Sequence, residues 1–169
     1  MTGANTLTIG SEATDAGLST IEAGSGNTNI SSSMSTVTLD ADVMADNTLL
    51  SISGASSSAN FVVSNLEANF NSENVTGSVV LNLGNVTDNA STLTLGAGNT
   101  TLSGGHASDT YVINAILESD ILNAAGVVGD MNIVLGSGAQ TIYGGMGVDT
   151  ITSGAGTDRL EFSADSAKI

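Results

Sequence analysis

An all-β solenoid, a parallel β-helix or β-roll, is the fold this sequence predicts, and three observations predict it. Apolar residues recur at nine-residue steps: Leu93, Leu102 and Tyr111; Ile142, Ile151 and Leu160; Ile21, Ile30 and Leu39. Glycines keep the same beat, from Gly96 to Gly105 and again through Gly136, Gly145 and Gly154. Apolar runs are three to five residues long and bounded by Gly, Ser, Asn or Asp, too short for stable helices and ordinary for strands. A nine-residue period with Gly-rich turns marks a stacked coil. Each half-coil supplies a short strand and a tight turn. Two half-coils make a rung of about 18 residues that buries its apolar side chains against the next rung.

In chain order, strands are expected at Thr6–Ile9, Thr36–Leu39, Leu49–Ile52, Phe61–Val63, Val79–Leu83, Ser91–Leu95, Thr110–Ile113, Asn132–Leu135 and Thr150–Ile151. Residues 1–95 read as degenerate rungs. Between 40 and 91 the nine-beat is lost and irregular loops are expected, although the runs beginning Asn60-Phe-Val-Val and Gly77-Ser-Val-Val lie about one coil apart. Residues 96–114 and 135–169 read as regular β-roll units of the same continuous solenoid. Between them, 115–134 reads as an insertion with room for one short helix. Within it, Ile116, Ile121, Leu122 and Val127 fall at near-helical spacing.

Composition agrees with a stacked coil. Ser, Thr, Asn and Gly make up 80 of 169 residues, suiting narrow strands and turns. Proline is absent, as a ladder that needs every N–H requires. High charge with few aromatics points toward disorder. The 40% apolar content and its regular spacing point the other way.

Charge excludes several functions. Seventeen acidic residues face two cations, Arg159 and Lys168, for a net charge of −15. Such a chain cannot neutralise a phosphate backbone or dock on anionic lipid, so no nucleic-acid partner is expected. No apolar run approaches a bilayer span, so no membrane insertion is expected either. The absence of Cys excludes disulfides, thiolate metal sites and a cysteine nucleophile. The first residues carry no basic region followed by an apolar stretch, so no secretory signal peptide is read there.

Two consecutive units carry more specific chemistry. Gly144-Gly-Met-Gly-Val-Asp149-Thr-Ile-Thr fits G-G-x-G-x-D-x-U-x at every specified position. Ser153-Gly-Ala-Gly-Thr-Asp158-Arg-Leu-Glu departs only at its first position, and Gly104-Gly-His-Ala-Ser-Asp109-Thr-Tyr-Val only at its fourth. The three are read as in phase. In these units the chain resembles the RTX, or haemolysin-type, calcium-binding repeat family, over about a third of its length when degenerate units are counted.

The resemblance implies calcium as the bound ion. Ca²⁺ takes six to eight oxygen ligands. The implied ligand set is the carboxylates of Asp149, Asp158 and Asp109 with the turn backbone at Gly145, Gly147, Gly154, Gly156 and Gly105. Like charges along one edge would repel without metal, so binding and folding should be coupled. The position of Asp149 is taken by Gln140, Thr100 and Thr28 in the degenerate units. With an 18-residue rung, Asp158 should stack on Gln140, and Asp149 should face the insertion side or a next rung. Metal-free turns that simply hold the roll in shape are the alternative.

Catalytic patterns are weak. His106 is the one histidine and sits in a Gly-Gly-His turn. The pairs Glu118 with Asp120 and Asp40 with Asp42 read as solvated loop charges rather than glycosidase carboxylates. Thr6-Leu-Thr8, Thr36-Val-Thr38 and Thr92-Leu-Thr94 do not recur on every rung, so no ice-binding array is expected. The chain is therefore read as no enzyme.

The long Ser/Thr/Asn/Gly-rich repeats extend the resemblance to Gram-negative surface proteins exported by type I secretion, S-layer proteins among them. That resemblance implies an extracellular structural module, a segment of a longer chain that binds calcium and assembles with copies of itself or with neighbouring domains. An adhesin segment, or the non-catalytic β-roll of a secreted enzyme, are the alternatives.

Overall fold

The computed structural model describes residues 5–9, 19–32, 36–45, 47–54, 60–85, 89–115 and 121–162. Sixteen strands run through them in two parallel sheets. The first sheet holds β1 (Asn5–Ile9), β3 (Thr28–Ser32), β5 (Leu49–Gly54), β7 (Asn69–Val75), β9 (Ala90–Leu95), β11 (Thr110–Ala115), β13 (Asp130–Leu135) and β15 (Thr150–Thr152), in that spatial order. The second holds β2 (Ser19–Glu22), β4 (Thr36–Asp40), β6 (Asn60–Leu66), β8 (Ser78–Leu83), β10 (Thr100–Gly104), β12 (Ile121–Val127), β14 (Thr141–Tyr143) and β16 (Arg159–Glu161). Successive strands alternate between sheets, and each pairs with the strand two places on. This is the expected parallel solenoid.

Alternation within each strand builds the core. β8 and β13 bury every second residue, so Val79, Leu81 and Leu83, and Met131, Ile133 and Leu135, point inward. The ladders stack these residues into columns. Val37, Phe61 and Val79 are in register, as are Leu50, Phe70, Leu93, Ile113, Ile133 and Ile151. Each apolar triplet of the sequence steps through consecutive strands, which is what a nine-residue half-coil demands.

The rung is less uniform than the period implies. Ser19 pairs with Val37, Asn60 with Ser78, Asn132 with Thr150 and Thr141 with Arg159, all at 18 residues. Elsewhere the turns lengthen, and Thr36 pairs with Asn60 at 24. Between β9 and β11 the rung is 20, so Tyr111 lies beside Ser91, and Leu93 beside Ile113. The nine-beat from Leu93 to Tyr111 therefore follows the winding but slips the column by two.

Residues 121–135 differ from the expected helical insertion. They form β12 and β13, in register with their neighbours, while 116–120, with Glu118 and Asp120, lie outside the described residues. The reason is a bulge. In β12, Leu122, Ala124 and Val127 are buried, while Ala125 and Gly126 are both exposed. The register against β10 shifts across this step. One extra residue turns a period of two into an i, i+2, i+5 pattern that resembles a helix face. β7 repeats the device: its register shifts, Glu73 and Asn74 are exposed, and Val75 is buried. In both strands an Asn side chain accepts an N–H two residues on, Asn71 from Glu73 at 2.9 Å and Asn123 from Ala125 at 3.2 Å.

Candidate calcium-binding turns

The Asp-bearing turns sit at strand ends, where rung stacks on rung. The complete turn runs from Gly144 to Asp149, between β14 and β15. Asp149 is half-buried. Its Oδ2 accepts the N–H of Gly145 at 3.0 Å, and its Oδ1 accepts the N–H of Met131, one rung back, at 3.2 Å. Asp158 repeats the inter-rung bond, taking the N–H of Gln140 at 3.2 Å. Asp158 thus stacks on Gln140, and Asp149 faces the 115–134 segment, as an 18-residue rung requires.

Asp109 does the same work from a different level. Extending the ladders places Asp109 beside Gly147 rather than Asp149, because Thr110 pairs with Asp130 and Asn132 with Thr150. The third unit is therefore out of phase with the other two by two residues, the slip introduced by the 20-residue rung between β11 and β13 that follows it. Asp109 is only 1% exposed. It accepts the N–H of Asn89 at 3.0 Å, the N–H of His106 at 2.6 Å and the hydroxyl of Tyr111 at 2.7 Å. Burial first, and then the bonded Asp109 carboxylate, push the Tyr111 phenol far above its ordinary range, with Glu67 adding to the effect. Tyr111 thus stays a hydrogen-bond donor across the working pH range.

Glycine is needed in these turns chiefly because backbones touch. A Cβ at Gly154 would overlap the carbonyl oxygen of Gly136, and one at Gly147 that of Gly129. At Gly145 it would lie 2.8 Å from the oxygen of Val127. Positive φ, which glycine adopts without strain, applies at Gly105 (+78°) and Gly156 (+140°).

One acidic residue escaped the sequence reading. Asp130 is exposed and accepts the N–H of Val148, one rung on, at 2.7 Å. It lies close enough to Asp149 to act on its ionisation. Burial raises the Asp149 carboxyl above its ordinary value of 3.8, two backbone N–H groups oppose the rise, and the Asp130 charge adds to it. Asp130 was hidden because an 18-residue step from Asp149 lands on Met131, not on it. Asn27, Asn69 and Asn99 make the same forward bond in the degenerate rungs, to the N–H groups of Leu49, Thr92 and Ile121 at 2.9, 2.8 and 3.1 Å. Neutral amides thus staple the rungs where the acids are missing.

A pH test follows from the raised Asp149. A carboxyl whose folded pKa lies above its unfolded value favours the folded state below 3.8 and loses that contribution as pH rises through the window above it. The stability of the wild type minus that of Asp149→Asn is expected to fall as pH rises through this window in metal-free buffer. Urea melts at a series of pH values read it, and a flat difference would contradict the burial argument.

The remaining candidates are ordinary turn groups. His106 Nδ1 lies 3.0 Å from Ser108 Oγ, but Asp109 bonds the main-chain N–H of His106 and not its ring. Asp40 Oδ1 accepts the N–H of Asp42 at 3.4 Å and the amide of Asn65 at 3.3 Å. Arg159 pairs with Glu161 at 2.7 Å on the surface, where such a pair contributes little.

The donor set suits calcium in kind. A carboxylate offers about four lone-pair sites, so Asp149 retains acceptor capacity beside its two N–H bonds. Among the described residues no three His, Asp or Glu gather as a metal cluster, so carbonyl oxygens or water would complete the shell. No protein-family model matches the chain, and no curated protein or solved structure matches it at significant similarity.

Proposed function

We propose that this chain is a structural module of a secreted, S-layer-like bacterial surface protein, and that its Asp-bearing turns bind calcium in support of folding and assembly. The observation that carries the proposal is the Asp130–Asp149 pair, two carboxylates on stacked turns, where burial and the neighbouring Asp130 charge disfavour ionisation of Asp149. A divalent cation between such groups removes that penalty, and its binding energy adds to folding. Asp149 with Asp130 and the turn around Gly145 and Gly147 would hold one ion, and Asp158 with the turn around Gly154 and Gly156, on the opposite edge of the solenoid, a second. Asp109 keeps the staple role its three donors give it. The solenoid suits a lattice or stalk element, since rungs add length without a new core.

A second reading has support of its own. Each of Asp149, Asp158 and Asp109 already bonds an N–H of the preceding rung, so these turns hold together by hydrogen bonds alone.

A calcium titration separates the two readings. Ligand at 100-fold excess over its Kd adds about 2.7 kcal/mol. For a chain of this size, that raises Tm by roughly 5–10 °C relative to EDTA. Asp149→Asn with Asp130→Asn is expected to abolish the part of the shift that the first ion supplies. An unchanged melting curve in millimolar calcium would leave the metal-free reading.

A further inference from the structure

No further inference is drawn: the strongest candidate, the uncharged column on the outer face of the first sheet, where Asn29, Ser51, Asn71, Thr94, Asn114 and Val134 stand in register across six strands, carries nothing, because nothing in the structure shows what covers it.

Discussion

Replacing Phe61 by alanine is expected to cost about 3–5 kcal/mol, a large share of the 5–15 kcal/mol that holds a typical domain folded. Phe61 is 0% exposed and lies in register between Val37 and Val79. Both neighbours are smaller and β-branched, with χ1 set by their own strands, so neither can swing into the vacated space. The ladder holds the backbones at a fixed strand spacing, and collapse onto the cavity is correspondingly limited. Chemical denaturation should show the loss as a lower midpoint at unchanged m-value. Phe61→Leu, which refills most of the volume, should recover more than half of it. Equal losses for the two substitutions would mean the column is not packed as described.

The periodicity made the fold legible because a solenoid assigns one job to each position of its repeat. Ile142 and Leu160, nine residues either side of Ile151, occupy one column of the second sheet, while Ile151 closes a column of the first. What the period could not show was its own variation. Two extra residues between β11 and β13 moved Asp109 off the level of Asp149 without changing the local Gly-Gly-x-x-x-Asp spelling. One extra residue in β12 disguised a strand as a helix face. Both errors come from reading a chain that tolerates added residues in its turns and bulges as though it repeated rigidly.

The candidate site was legible in its carboxylates and not in their partners. The Gly and Asp positions follow a spelling. Asp130, Asn27, Asn69 and Asn99 follow none, because a staple needs only an acceptor opposite an N–H on the neighbouring rung. In a chain with 16 Asn, such acceptors have no distinguishing neighbourhood in sequence. Only the ladder, with rung lengths from 18 to 24, says which Asn meets which N–H.

Asp109→Ala is expected to cost on the order of 3–5 kcal/mol, far more than an average turn substitution. Its carboxylate accepts from three donors in one place: the N–H of Asn89 on the preceding rung, the N–H of His106 in its own turn, and the Tyr111 hydroxyl. Removing it strands all three donors. A buried donor left unpaired costs about 1–3 kcal/mol, and the Tyr111 hydroxyl is enclosed by the same burial that raises its pKa. Partial access of water to the His106 turn holds the total below the sum of three full penalties. The double variant Asp109→Ala/Tyr111→Phe removes one stranded donor along with its acceptor, so it should be more stable than Asp109→Ala alone by about 1 kcal/mol or more. Asp109→Asn keeps an acceptor but brings an N–H₂ toward a cluster made wholly of donors, and should fall between the wild type and alanine. If Asp109 served metal rather than the staple, the cost of Asp109→Ala would be confined to calcium-containing buffer. The hydrogen bonds require it to persist undiminished in EDTA.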